Sequence, residues 1–535
     1  MGRAVSKIDL LLDGPVDVAE AADELMRQLM SRPWGHVSPS IYETGRLVTL
    51  APWLVGHEER VNYLIETQRP DGAWGALDGY ALVPTLSATE ALLSTYVRGD
   101  AGADPAVVRE AAVRGLGFLS RRLTEVTALT LPDTPAIEII VPALVALINT
   151  HLENLPELGI ARLPLPAGLN ERPLTLIRQR LASGTALPEK LLHALEVAGD
   201  AAAGAPAVSP TPIGTIGASP AATAAWLGGE ARPEPGHHAL RHLEAVAQRY
   251  GGPVPVGLPI TVFERGWVLS WLGRAGIEFE APPEMLADLR SAIGPSGTPA
   301  GVGLPPDADT TSVALYALAL FGMPQEPECL WAFQTPTHFC TWPGEDGQSA
   351  SVNAHVLDAF GQYVRVRPAA AGRYGPVMQR LSAWLCERQR PDGSWEDRWH
   401  ASPYYATVSC ALALWEFGGP AAQEAVRRAV AWALRTQHAD GSWGWWTGTA
   451  EETAYAMQLL LMAGREEEAV VDAAARGYAY LRSAADLAEG PPLWHDKDLY
   501  LPFAIVRAAV LAALHLAQTD PRIMKKLHHC MIIKA

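Results

Sequence analysis

Residues 305–312, Pro-Pro-Asp-Ala-Asp-Thr-Thr-Ser, place Asp307 and Asp309 two apart at the head of an apolar run over 313–321. Two carboxyl groups this close, once buried, share their protons. Removal from water disfavours the anion, and the charge of one disfavours ionisation of the other. Such a pair can keep one carboxyl neutral as a general acid. The same residue types also cap helices, with prolines just ahead of the first turn. Capping and acid chemistry can coexist at one helix start.

A buried acid needs elements that hold it. Three stretches repeat: 60–75, 380–395 and 428–446. Each runs aromatic, Gln, Gly, Trp at fixed intervals: Tyr63-Gln68-Gly72-Trp74, Trp384-Gln389-Gly393-Trp395 and Trp432-Gln437-Gly441-Trp443. A decayed fourth copy runs from Tyr478 to Trp494. The first half of each unit has helical periodicity, and Pro-Asp-Gly or Ala-Asp-Gly is a turn in which glycine accepts positive φ. Trp is expected to pack back over the helix end, with Gln bonding the terminal amides of the next helix. Helix pairs that cannot bury a face alone stack into solenoids or close into α/α barrels. Period-2 patterning is nearly absent, so the predicted fold is all-α, with two α/α barrels. The Ala/Gly/Pro-rich stretch 196–236 reads as a crossover between them.

Composition narrows the function. The chain has 535 residues, 49% of them hydrophobic, enough for two or three domains. Its net charge of −16 argues against nucleic-acid binding. The five cysteines, 329, 340, 386, 410 and 530, lie far apart and suggest neither a disulfide framework nor a structural zinc site. The apolar stretch 134–149 reads as too short to span a bilayer. The expectation is a cytoplasmic protein, monomer or homodimer, without membrane insertion. Seventeen tryptophans suggest aromatic-rich cores, an aromatic-lined cavity, or both.

Beyond the clasps and the D-x-D pair, other segments carry a resemblance: 38–53 (SPSIYETGRLVTLAPW), 137–148 (IEIIVPALVALI), 214–227 (GTIGASPAATAAWL), 251–277 (GGPVPVGLPITVFERGWVLSWLGRAGI), 351–360 (SVNAHVLDAF) and 493–514 (LWHDKDLYLPFAIVRAAVLAAL). Together they cover most of the chain and resemble the class II terpene cyclases, the protonation-initiated family of squalene–hopene and copalyl-type cyclases. The resemblance implies a βγ architecture: residues 1–20 as the first helix of the β barrel, 21–250 as an inserted γ barrel, and 251–535 as the rest of the β barrel.

It also implies roles. Asp309, the middle Asp, would be the acid and Asp307 its partner. Thr310 stands where the family motif has a further Asp, and can hydrogen-bond Asp309 but carry no charge. This D-x-D-T-T variant resembles the drimenyl diphosphate synthases, which implies cyclisation of farnesyl diphosphate with the diphosphate retained. The alternative is geranylgeranyl diphosphate giving a labdane-type, copalyl-like product. Squalene cyclisation, a zinc prenyltransferase subunit and a non-catalytic helical scaffold are the weaker readings. His355, with Asn353 beside it, falls where the family places a histidine on the acid, and Ser351 replaces an Asp four residues earlier. Trp399, Tyr404, Tyr405 and Tyr500 fall at cavity-aromatic positions. Lys497 and Arg46 are candidate diphosphate contacts, and Mg²⁺ is expected to assist there, with Glu125 and Asp133 as candidate ligands. No Asp-Asp pair occurs, so no DDxxD motif is present to ionise a diphosphate.

Overall fold

The structure, a computed structural model, describes residues 16–100, 102–228, 234, 236–345, 347–465, 467–483 and 490–534. The three repeats are helix-end clasps built alike. Gly72, Gly393 and Gly441 have φ of 89°, 100° and 91°. A Cβ there would lie 2.5, 2.4 and 2.7 Å from the backbone oxygens of Arg114, Arg428 and Arg476. Glycine is therefore required by conformation and by space.

Each fully buried Trp donates its Nε1–H to the carbonyl ten residues back, Leu64, Leu385 or Ala433, at 2.6, 2.9 and 2.7 Å. Its backbone N–H donates to the hydroxyl of Thr85, Thr407 or Thr453. The glutamines do not bond amides of the next helix. Each Nε2 donates to the turn glycine's carbonyl and to that of Ala111, Ala425 or Ala473 on the next outer helix. Of the fourth copy, residues 484–489 lie outside the described residues, and Trp494 makes no clasp, donating instead to Glu451.

The clasps stack helix pairs until a ring closes. Helices Thr261–Arg274, Ala308–Leu320, Ala350–Val366, Pro403–Phe417, Ala450–Ala463 and Phe503–Gln518 each pack on the next, and the last packs on the first. Helices such as Ala371–Arg388, Gln423–Arg435 and Glu468–Ser483 lie outside them. The inner helices are buried nearly all round, as a helix enclosed on every side must be. A smaller ring forms from Ile41–Leu50, Leu82–Arg98, Ile137–Asn154, Glu189–Ala202 and Pro220–Leu227. Each ring has its own apolar core. A two-stranded antiparallel pair, Trp494–His495 with Leu499–Tyr500, reaches from the larger barrel toward the smaller.

Three expectations change. The helix of the larger barrel that precedes the insertion is Val18–Ser31, capped by Asp17 and packed on Phe503–Gln518, so a boundary at 20/21 would cut it; most of 1–20 lies outside the described residues. The supposed crossover 196–236 contains an inner helix of the smaller barrel, Pro220–Leu227, capped by Ser219 with proline at its first turn. Its alanines suit a helix with no exposed face. The 134–149 stretch extends into helix Ile137–Asn154, long and apolar enough to cross a membrane, but over half buried in the smaller barrel's core. After Phe503–Gln518 the chain continues as helix Pro521–Lys534, packed against Glu468–Ser483.

Candidate active site

Asp307 caps helix Ala308–Leu320. Its Oδ1 accepts from the Thr310 amide at 2.6 Å, and Oδ2 accepts from the Ala300 amide at 3.1 Å. The residue is 3% exposed. Burial pushes its carboxyl up to about 7, and the neighbouring Asp309 carboxyl adds to the rise, while the Thr310 amide opposes it. The Thr310 side chain also lowers the Asp307 pKa, and among the described residues its hydroxyl makes no hydrogen bond to Asp309, contrary to expectation. Asp309 sits in the first helical turn, its Oδ1 2.6 Å from His355 Nδ1. His355 is held edge-on by Trp267 and Tyr405, at 5.6 and 6.2 Å between ring centroids. Trp267 Nε1 donates to the Tyr405 hydroxyl at 2.9 Å. Asn353 does not reach the acid pair. It accepts from the Phe339 amide and donates to the Phe339 and Ser349 carbonyls, fixing the loop ahead of its helix. Ser351, at the altered position, binds Asp397, which in turn accepts from the Trp399 amide.

Asp307, Asp309 and Thr310 open on a cavity of about 590 Å³ between the barrels. Phe263, Trp342, Trp399, Tyr405, Trp494 and Tyr500 give it aromatic walls. The smaller barrel contributes 133–136, Glu138, Lys190, Leu191, His193 and Ala194. Sequence reasoning missed Lys190 and Arg398, cationic residues of this wall. Arg398 pairs with Glu345 at 3.2 Å and with Asp133 across the barrel boundary at 3.0 Å. His495 is not a further cation, since burial holds its imidazole down to about 4.

Several expected residues lie elsewhere. Tyr404 packs on Trp432 at 4.6 Å and donates to the Thr436 carbonyl, away from the cavity lining. Arg46 is buried in the smaller barrel against Glu90 at 2.5 Å and Ser87. Lys497 is fully buried between Glu43 and Glu196, and also donates to the His193 carbonyl and Ser219. Both cations are consumed by internal partners. Glu125 is exposed, 3.5 Å from Arg122, and does not line the cavity. Among the described residues no group of three or more His, Cys, Asp or Glu could hold a metal. Asp133 and Glu138 at the cavity rim do suit Mg²⁺, which commonly takes one or two carboxylates plus substrate phosphate.

The Asp307 carboxyl makes a measurable prediction. Its folded pKa, about 7, lies above the ordinary value of 3.8, so the folded chain holds this proton longer than the unfolded one. The stability tied to it is present at low pH and lost as pH rises through 7. Asp307→Asn keeps an acceptor for the cap but cannot ionise. Wild type should lose about 2.5–3 kcal/mol relative to the variant between pH 5 and pH 8, about two pH units below the folded pKa at about 1.4 kcal/mol each. Denaturant midpoints of both proteins across that range check this, and a gap that stays constant would refute the burial account.

An acid pair at a helix start, opening into a ring-walled cavity between two helical barrels, has the groups that protonating an alkene and sheltering a cation would need. The family described as squalene-hopene cyclase C-terminal domain matches residues 345–499. The chain is 42% identical over 505 residues to ent-copalyl diphosphate synthase of Streptomyces sp. (strain KO-3988), covering 93% of this chain and 96% of that one. It is 42% identical over 522 residues to labda-7,13-dienyl diphosphate synthase of Streptomyces clavuligerus, covering 94% and 93%. The structure of ent-copalyl diphosphate synthase from Streptomyces platensis superposes with a TM-score of 0.89 at 45% identity, over 94% of this chain and 100% of that chain. On this site geometry and these relationships, the chain belongs to the class II terpene cyclases.

Proposed function

We propose that the protein cyclises geranylgeranyl diphosphate to a bicyclic, copalyl-type diphosphate. The observation that carries this choice of chain length is the set of near-full-length relatives at about 42% identity whose names are labdane-type diphosphate synthases. It outweighs the Thr310 motif analogy that pointed to farnesyl diphosphate and a drimenyl product.

In this reading Asp309 delivers the proton to the terminal alkene. Asp307 and His355 hold its charge environment, His355 through the contact at 2.6 Å. The aromatic walls shelter the cation through their negative faces. Lys190 and Arg398 meet the diphosphate, and bound Mg²⁺, held by Asp133 and Glu138, would offset its charge. The product keeps its diphosphate, because the chain carries no DDxxD motif.

Incubation with each prenyl diphosphate, then phosphatase and mass spectrometry, tests this. Turnover of the C20 substrate should exceed that of the C15 substrate at least about tenfold in kcat/KM, since each 1.4 kcal/mol of lost apolar contact is tenfold. A preference for farnesyl diphosphate would reverse the assignment. Lys190→Gln should raise KM with little change in kcat, as expected for binding shared by ground and transition states.

A further inference from the structure

A second, much smaller cavity lies behind the acid pair. It measures about 20 Å³ and is lined by His355, Asp358, Arg274, Trp271 and Ser409, among others. That volume fits one water molecule. Four atoms of its wall residues lack hydrogen-bond partners among the described residues: Ser409 Oγ and Trp271 Nε1, in residues only 1% and 5% exposed, and Arg274 Nη2 and Asp358 Oδ1, which face each other as an ion pair. Orphaned buried hydroxyl and indole groups are rare because each forfeits a hydrogen bond, and a trapped water is the usual remedy. His355 meets Asp309 through Nδ1, and among the described residues Nε2 has no protein partner. Asp358 sits one turn further along the same helix, 2% exposed, with Oδ1 2.5 Å from Arg274. Arg274 is held in turn by Glu416 at 2.9 Å and lies over the Tyr316 ring.

We infer that this cavity holds one ordered water joining His355 Nε2 to Ser409 and the Asp358 carboxylate, making Asp358 a positioning residue for the acid pair. The hydrogen bond at one imidazole nitrogen decides which nitrogen carries the proton and how the ring is oriented. The bridge would fix the His355 ring against Asp309 from its far side, with Asp358 supplying negative charge and Arg274 anchoring Asp358. Burial raises the Asp358 carboxyl to about 6, against the opposing pull of Arg274, so it is mainly anionic at neutral pH.

The inference rests on Asp309 being the acid, so its test has readouts that do not depend on turnover. Two variants are compared with wild type. Asp358→Asn removes the anion, and Ser409→Val fills the space and removes the hydroxyl without touching Arg274. Both should lower kcat about tenfold or more with KM within twofold. Both should also shift the His355 ring ¹⁵N resonances, and a high-resolution crystal structure of wild type should show the water. A wild type that fails to cyclise any prenyl diphosphate would sink the proposed function and leave the water and the ¹⁵N shifts to decide the bridge. A dry cavity, or variants with unchanged ring resonances, would overturn the bridge even in an active enzyme.

Discussion

Replacing Asp309 by Asn is expected to lower cyclisation by about 10³–10⁴-fold, the upper range for loss of a positioned general acid, while leaving the fold intact. Asn matches Asp in shape, and Asp309 does not hold the helix start, which Asp307 caps through the Thr310 amide. The variant can still contact His355, but it has no acidic proton to give an alkene. Quenching of cavity tryptophan fluorescence by the diphosphate should give an unchanged Kd. The loss then lies in kcat and not in binding, as it must when the missing interaction belongs to the transition state. Asp307→Asn should fall less far, because both Asp307 oxygens are engaged in accepting from the Ala300 and Thr310 amides and Asp309 is left to meet His355. Substantial turnover by the Asp309 variant would move the acid elsewhere, with Asp307 the first alternative. Equal loss of binding and turnover would instead point to a collapsed cavity.

How much of this could be read from the sequence follows physical range. The clasps were legible because Gln68, Gly72 and Trp74 act within a dozen residues and recur at the same spacing. Their threonine partners were not, since Thr85, Thr407 and Thr453 lie ten to twelve residues past the Trp in the next helix. Those threonines were a usable signal, each sitting in the first or second turn of an apolar helix. The D-x-D pair was legible as a helix start, but its burial depended on a wall supplied partly by 133–136 and 190–194 of the other barrel. No local pattern relates Lys190 or Arg398 to Asp309. His355 could be placed only through resemblance, because its partner lies 46 residues away. The misassigned cations share one cause. Charge in a sequence shows no partner, and Arg46 and Lys497 were already spoken for by Glu90, Glu43 and Glu196.

Lys497 gives the second large effect, on stability instead of chemistry. It sits in the turn between the two short strands and reaches into the smaller barrel, with no exposed surface. Alone, burial would lower its pKa, but Glu196 and Glu43 overcome this and raise it. Glu43 in turn accepts from Ser219 and from the Ala221 amide at the start of helix Pro220–Leu227. One ammonium thus links three segments across the barrel boundary. Lys497→Gln would leave Glu43 and Glu196 as neighbouring buried carboxyls without a cation, a loss of about 3–5 kcal/mol. Burial already pushes Glu43 up to about 7 against the pull of Lys497, and without the lysine it must rise further. Groups whose folded pKa is raised lose stability as pH increases, so the gap between variant and wild type should widen from pH 5 to pH 8. Thermal unfolding at both pH values reads this directly. KM for the prenyl diphosphate, measured well below the variant's melting temperature, should stay within about twofold, because Lys497 does not line the cavity. A tenfold rise in KM with unaltered melting would make Lys497 a diphosphate ligand after all and sink the inter-barrel clamp.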